Sequence, residues 1–581
     1  MLKSHILSPL YRQFTGLFFG IVLCTFPVSS QTNYFVSSAG SNSNTGSQSA
    51  PWLTIQSALS HLKSADTLYV MNGIYTEKLN IPVSGLTIRN YPNHTPVIDA
   101  TGLTSQVPIL QIINTSNIII DGLELRNNIM LDAQGILVDG NCQNITIKNC
   151  KIHDIHFSSN VSASVNDKTN AQGIIVFGSN ATTPISNLKI LNNQLYNCRL
   201  GYSEGIAVNG NVSGFEVSGN SVHDLTNIGI DLIGFEGTSS NTANDQARNG
   251  IIRNNIVHHC VSAYATSGGL YVDGGKGLII ENNTSYHNGY GIEIGCENLG
   301  KTTDSILVRN NVFYDNEVCA VALGGWNYPK SGKVINSVFR NNSCYYDDYS
   351  KSGNGEIYLS YSENCTIENN IFFTTTANSL CYAELSQPGL SFNYNLIYCT
   401  AGAVNLGIDW DKKSYSDYIA FVAGTGTNKN SVFANPLFVA ANITNPDFHL
   451  LSTSPAINAG NPATIPTSGE VDLDGQSRKT GVIDCGADEY YAPNGIDENH
   501  LSQNLFSIFP NPARDNISIQ CSDVNLENII LYNSIGKQVG NYRMENSSKR
   551  IDISGYLYGL YYLVGFDKSM NIVGSQKLIV E

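Results

Sequence analysis

The chain has 581 residues, too many for one ordinary compact domain, with only 14% charged side chains and a formal net charge of -15. That balance argues against nucleic acid, which needs a basic surface, and against a polyanionic substrate unless cations bridge the two. The 52 glycines and 31 tyrosines suit short strands and frequent turns better than long helices.

Lys3 and Arg12 flank the start of an apolar run, GLFFGIVLCTFPV (Gly16–Val28), and Val28-Ser29-Ser30 offers a cleavage site before Gln31. This predicts a secretory signal over residues 1–30, with an apolar core too short for a membrane span. No later stretch reads as membrane-spanning. Of the 13 cysteines, the twelve after Cys24 include no Cys-x-x-Cys pair, which argues against zinc or thioredoxin-like chemistry. Export permits disulfides without fixing their pairing. Cys150, Cys198 and Cys260 each follow an Asn-containing strand start at similar spacing and read as small stacked apolar residues.

Next in the chain, PWLTIQSALSHL (Pro51–Leu62) places Ile55, Ala58, Leu59 and Leu62 on one helical face. A short helix there covers the open end of a strand stack and blocks edge pairing.

The asparagines then set a period. Asn149, Asn193, Asn220, Asn255, Asn283, Asn311, Asn342 and Asn370 are separated by 44, 27, 35, 28, 28, 31 and 28 residues. A base step near 28 with insertions is a solenoid signature. Each copy carries short alternating apolar segments, such as NITIKNCKI and SILVRNNVFYDN, that read as strands with one buried face. Three such strands per copy describe one coil of a right-handed parallel β-helix, expected over about residues 80–400. Asparagine suits the corners, where it tolerates left-handed geometry and stacks into ladders.

Tyr34–Glu77, which contains YFVSSAGSNSNTGSQSAPWLTIQSA and TLYVMNGIYTE, resembles the N-terminal cap and first coil of secreted β-helix carbohydrate enzymes, a group of calcium-dependent polysaccharide lyases and glycosidases. Asn42 stands where that pattern usually has Asp. The resemblance implies the fold, not a reaction.

Aligning the copies on the glycine that opens each strand gives Gly135, Gly173, Gly205, Gly229, Gly269 and Gly291. The first outward-facing column then reads Leu137, Ile175, Ala207, Asp231, Tyr271, Glu293, and the second contains Asp139, Phe177, Asn209, Ile233, Asp273 and Gly295. Asp231, Asp273 and Glu293 therefore come from three successive coils of one sheet, and are expected in one exposed cleft with Glu236 and Glu297 at its edge. With coils about 4.8 Å apart, Asp231 and Glu293 lie roughly 9.6 Å apart along the backbone, and Asp273 about 8 Å from each. Carboxyls about 6.5–9.5 Å apart suit inverting glycoside hydrolysis, where one protonates the leaving oxygen and the other activates water. The insertion Phe235–Arg248 is expected to wall the same face.

Lys276 supports a competing reading. In a calcium-dependent lyase, acids hold the cation that neutralises a uronate, and a lysine takes the α-proton. Asp231, Asp273 and Glu293 then become ligands and Lys276 the base, although the dense aspartate cluster of family-nine pectate lyases is absent from the sequence. Tyr271, Trp326 and Tyr328 offer sugar platforms, and Glu236, Tyr271, Lys276, Glu297 and Trp326 form the expected substrate-binding set. Arg248 and Arg253 are further substrate clamps, with solvent exposure the plainer role for Arg253. His223, His258, His259 and His287 fall at strand ends and read as turn or ladder residues.

The repeat fades near residue 400. Asn435–Tyr490 resembles a terminal segment that closes secreted β-helix proteins, and DLDG within it makes Asp472 and Asp474 calcium candidates. Residues 491–504 read as a linker. Beyond it, FSIFPNPARDNISIQ, NIILYNSIGKQV and IDISGYLYGLYYLV are alternating strands of a small β-sandwich. They resemble the C-terminal sorting domain of the type nine secretion system of Bacteroidota, which implies export, then release or surface attachment.

The sequence thus predicts an all-β chain: signal (1–30), cap and parallel β-helix (31–400), closing segment (401–490), linker (491–504) and sorting domain (505–581). It is read as a secreted polysaccharide-degrading glycoside hydrolase, with a calcium-dependent lyase second and a noncatalytic glycan-binding or adhesion protein third. Hydrolysis requires no cofactor. The expected partners are a polysaccharide or oligosaccharide and the type nine secretion machinery, with no nucleic acid.

Overall fold

One copy of the repeat makes one turn of a coil. Gly268–Asp273, Ile279–Glu281 and Thr284–Tyr286 are successive strands, and Tyr290–Gly295 opens the next coil directly beside Gly268–Asp273. Repetition builds three parallel sheets of 13 strands each, closed only at the end of the second by an antiparallel strand. The computed structural model describes residues 31–491 except 106, 326 and 479–481, and residues 506–581 except 522–525, 534–536, 545–546 and 569–571. The predicted signal and all of the predicted linker beyond Tyr491 lie outside the described residues.

The coils extend further than the repeat suggested. The first sheet begins at Asn33–Val36 and the third ends at Val432–Phe433. Inward-facing residues stack coil on coil, as in the register Leu232, Val272, Ile294, Leu323, all buried. Full burial of each such side chain contributes about 1.5–3 kcal/mol. The opening glycines are forced by this packing. A Cβ on Gly205 would lie 2.6 Å from Leu225 Cδ1 and 2.7 Å from the Gly229 carbonyl oxygen.

The Asn-Asn pairs divide two tasks between neighbours. The first residue of each pair is left-handed: Asn254, Asn282, Asn310, Asn341 and Asn369 have φ of 55°, 54°, 57°, 53° and 60°. The second is buried and forms the ladder. Asn283 Oδ1 accepts the backbone N–H of Asn255 at 3.0 Å and its Nδ2 at 2.9 Å, and Asn311 repeats this for Asn283. The ladder runs from Asn193 to Asn395. Asn149 does not belong to it. Asn149 is the left-handed residue, and Cys150 holds the ladder position, its N–H donating to Asn193 Oδ1 at 3.0 Å. Cys198 and Cys260 share a different column, joined through Leu225, so the three cysteines are not equivalent. The eleven cysteines from Cys142 to Cys485 are free thiols, and all twelve from Cys142 onward are buried.

The N-terminal helix Ile55–Leu59 buries Ile55, Ala58 and Leu59. Its first turn is capped from a distance: Glu77 accepts the N–H groups of Ile55 (2.8 Å) and Gln56 (2.9 Å). At the far end Asp417 caps the helix Tyr418–Thr425, and Gly426 ends it at φ 74°.

The segment after residue 434 corrects an expectation. It runs along the flank of the coils instead of over the last one. Phe448 packs 5.5 Å from Tyr314 and 5.4 Å from Tyr345. Buried Glu470 accepts from Arg309 at 2.5 Å and Arg340 at 2.7 Å, and Arg478 donates to Asn310 Oδ1 at 2.8 Å. The segment is thereby clamped to the corner asparagines and arginines of neighbouring coils.

The chain divides into two units at Tyr490 and Tyr491. The second contains a three-stranded and a four-stranded antiparallel sheet around Phe506, Ile519, Ile529, Leu563 and Leu578. Among the described residues no helix is long and apolar enough to cross a membrane.

Candidate functional site

The outward face of the second sheet carries the column anticipated from the glycines. Leu137, Ile175, Ala207, Asp231, Tyr271, Glu293, Ala322 and Tyr358 are consecutive register partners. Asp231 and Glu293 therefore flank Tyr271, one strand to either side. Gly295 makes room for this ring, since a Cβ there would sit 3.2 Å from Tyr271 Cε2.

The face is not the open cleft expected. Asp231, Tyr271 and Asp273 are only 3%, 5% and 4% exposed. Loops entering and leaving the strands rise on both sides and enclose a cavity of about 990 Å³. Tyr202, Ser203 and Glu204 wall one side, and Glu236, Thr238 and Glu297 wall the other. The strand pattern alone hides this, because alternation marks which side chains leave the core but not what later covers them.

Seven carboxyl side chains line the cavity: Asp167, Glu204, Asp231, Glu236, Asp273, Glu293 and Glu297. Asp167, on the loop before the strand Ala171–Gly178, and Glu204 were both missed by the sequence pattern, and of the two Glu204 had a signal. It lies immediately before Gly205, outside the Gly-apolar-x-apolar frame. The positions preceding successive glycines hold Gln172, Glu204, Ile228 and Gly268, and the first three line the cavity. That column was the available signal.

Few hydrogen bonds hold these acids. The Glu297 N–H donates to Asp273 Oδ1 at 2.7 Å, Tyr271 OH donates to Glu297 Oε1 at 3.2 Å, and Asn298 Nδ2 donates to Glu236 Oε1 at 2.6 Å. Asp231 Oδ1 is buried with no partner. Burial, then mutual repulsion, raises the carboxyls. Glu204 and Glu293 are each pushed up to about 8, first by burial and then by Glu297. Asp231 rises well above the carboxylate range through burial, Glu204 and Asp273, and Asp273 through burial and Glu297. The Tyr271 phenol also rises, through burial and then Glu293. The site therefore retains protons at neutral pH and can both donate and accept them.

Several anticipated residues stand elsewhere. Lys276 does not line the cavity; its Nζ pairs with Asp304 at 3.1 Å. Arg248 donates to Asn211 Oδ1 at 2.8 Å and to two backbone carbonyls, and Arg253 pairs with Glu216 at 2.7 Å. Tyr328 stacks on Tyr361, 3.8 Å between centroids. Trp326 lies outside the described residues. On the third sheet His223 and His258 belong to one ring ladder, 4.8 Å between centroids, with Tyr196 and Tyr286 as neighbours.

A calcium ion needs several oxygens converging on one point. Among the described residues, no three cavity carboxyls bring their oxygens within 4.8 Å of one another; His449, Asp474 and Asp488 are the group that does. In that group His449 donates toward Asp447 at 2.5 Å and Asp474 at 3.0 Å. Its imidazole is raised to about 9, with the two aspartates outweighing burial, as expected of a cation between carboxylates. Asp472 turns away from this group: it is fully buried, and its oxygens accept the N–H groups of Asp474, Gln476 and Glu489.

Residues 34–199 match the family described as "Pel9A-like, right handed beta helix region", and residues 234–355 match "Right handed beta helix region". Residues 507–581 match "Secretion system C-terminal sorting domain", which directs the chain through type nine secretion to the cell surface or beyond. Among solved structures, pectate lyase Pel9A is 15% identical with a TM-score of 0.42, covering 80% of this chain and 98% of that one. A GH136 lacto-N-biosidase from Eubacterium ramulus is 12% identical with a TM-score of 0.37, covering 63% and 64%. An alginate lyase from Paenibacillus sp. str. FPU-7 is 15% identical with a TM-score of 0.34, covering 62% and 97%. Protein YwoF of Bacillus subtilis (strain 168) is 32% identical over 443 residues, 73% of this chain and 91% of YwoF. The chain belongs to the same family of β-helix proteins as YwoF.

Proposed function

We propose that the protein is a secreted glycoside hydrolase acting on a polysaccharide, with its chemistry in the carboxyl-lined cavity. The observation that carries this reading is the placement of Glu293, Asp231 and Asp273 on one enclosed floor, crowded so that protons remain bound near neutral pH. Glu293 acts as the acid that protonates the glycosidic oxygen. Asp273, which alone of the three accepts a loop N–H, is the base: once it has given up its own proton, which burial and Glu297 make it hold, it takes one from the attacking water. Their strands are neighbours and their positions differ by two residues along the sheet, giving a backbone separation of about 8 Å. Such a spacing leaves room for a water and favours inversion at the anomeric carbon. Tyr271 lies between the acids and positions the ring and Glu297.

Calcium-assisted elimination on a uronate is the second reading. Its support is the Pel9A-like match, which ends at residue 199 and includes only Asp167 of the cavity acids. The cavity offers that reaction no lysine, arginine or histidine as base among its lining residues. Product analysis on a glycan panel tests the proposal. New reducing ends without ultraviolet absorption support hydrolysis; an unsaturated, absorbing product refutes it in favour of elimination.

A further inference from the structure

We propose that the site takes an uncharged glycosyl unit, so that a neutral glycan and not a polyuronate is the substrate. This rests on the reading of the cavity as a glycan-processing site and adds the substrate class.

The first argument is the absence of any positive counter-charge. Seven carboxyls line the cavity, and among the described residues no lysine, arginine or histidine lines it. The cations nearby in sequence are committed elsewhere. Lys276 pairs with Asp304 at 3.1 Å, Arg248 bonds Asn211 and two carbonyls, and Lys301 lies over the Phe235 ring, 5.1 Å from its centroid. A uronate adds one negative charge for every ring. Placed among these acids, it meets repulsion in a confined space where water screens poorly. Binding such a ring would require either recruiting cations or protonating the whole cluster, and the cavity acids do not converge on a cation-sized point.

The second argument is what the site offers instead. Burial and crowding favour the protonated form of Glu204, Asp231 and Glu293, and a neutral carboxyl group both donates and accepts a hydrogen bond. That pairing matches a sugar hydroxyl, which also does both. Asp231 is more than nine-tenths buried, lines the cavity and has one oxygen without a partner. A hydroxyl delivered there donates to that oxygen; a uronate carboxylate has no proton to give it.

The third argument is the apolar floor beside the acids. Ile175, Ala207 and Ile233 form a buried outward-facing cluster with Leu137 and Phe177 packed on it. Ile175, Phe177 and Ile233 line the same cavity as Asp231. Aliphatic side chains and tyrosine rings accommodate the C–H faces of a sugar but give a carboxylate no partner.

The test uses the full mature chain and its Glu293→Gln variant, the latter to measure binding without turnover. The probes are galactan, arabinan, mannan and xylan on one side, and polygalacturonate and alginate on the other, each with calcium and with chelator. Chitosan serves as the cationic probe. Affinity electrophoresis and titration calorimetry read retention and Kd. The expected result is retention by at least one neutral glycan, at least tenfold tighter than by either polyuronate, and little changed by ionic strength or calcium. Tighter binding of a polyuronate, with or without calcium, overturns the proposal, as does preference for chitosan. Failure of every probe to bind overturns it together with the functional reading. Binding of a neutral glycan that the unsubstituted chain never cleaves upholds the substrate class and refutes hydrolysis.

Discussion

The backbone N–H of Glu297 donates to Oδ1 of Asp273 at 2.7 Å. The donor lies in the loop that leaves the next strand, so the wall of the cavity is fastened to its floor through a buried acid. Asp273 thus has two tasks: it anchors a wall, and in our account it takes a proton from water. Asp273→Asn separates charge from shape. Its kcat is expected to fall by about 10²–10⁴-fold, the loss of one general base. Because the native acid is buried, ionising it as pH rises costs stability, and the uncharged amide should raise Tm at alkaline pH. Turnover assays and thermal melts of the same variant check both; retained turnover contradicts the assignment.

Glu204 and Glu293 provide a pH signature. Each is raised from 4.5 to about 8 in the folded chain, so the folded state binds more protons than the unfolded chain between those values. Their contribution to stability is full below about pH 4.5 and is lost as pH rises to about 8. Tm of the mature chain should therefore decline across that window, and Glu204→Gln should flatten the decline. Scanning calorimetry between pH 4 and pH 9 measures it; a melting temperature rising through the window contradicts the sign.

The asparagine ladder is predicted to be structural throughout. Asn283→Ala removes the acceptor for both the N–H and Nδ2 of Asn255, and takes from Asn311 Oδ1 one of its two donors, the other being the backbone N–H that alanine keeps. Each orphaned buried group costs about 1–3 kcal/mol. Asn282→Ala, in contrast, disturbs a left-handed corner and leaves the ladder intact. The Asn283 variant should therefore lose more Tm than the Asn282 variant; the reverse order contradicts this division.

The flank segment depends on one buried acid. Glu470→Gln leaves Arg309 and Arg340 buried with weakened compensation, although Glu281 still holds Arg309 at 2.7 Å. Breaking a buried pair from one side costs about 3–5 kcal/mol. Faster limited proteolysis within residues 435–490 is expected, with the coils themselves protected. Unchanged proteolysis contradicts the clamp.

The coils were legible because their signal is local and repeated. Glycine before an apolar pair, and asparagine at a fixed step, fix register without any tertiary information. That is why Asp231, Tyr271 and Glu293 fell into one column from the alignment of glycines. The ladder was read one residue out at Asn149 because the first of two adjacent asparagines serves the turn and the second serves the stack; where the pair is Asn149-Cys150, only the turn residue remains visible. Burial of the site was not legible. It comes from loops around Glu204, Glu236 and Glu297, which lie between repeats and follow no period. The same holds for the flank: nothing in the spacing of DLDG reveals that Asp472 folds its oxygens onto backbone N–H groups while Asp474 meets His449.

The central claim is that Glu293 delivers the proton that breaks a glycosidic bond. It is tested most directly by comparing the unsubstituted chain with Glu293→Gln on the neutral glycan that binds best, measuring new reducing ends over time while confirming equal retention of the glycan. The account predicts that the variant binds as before and releases reducing ends at least about 10²-fold more slowly, without any product that absorbs in the ultraviolet from either protein. Equal rates of release from the two proteins, or an absorbing unsaturated product from the unsubstituted chain, would contradict it.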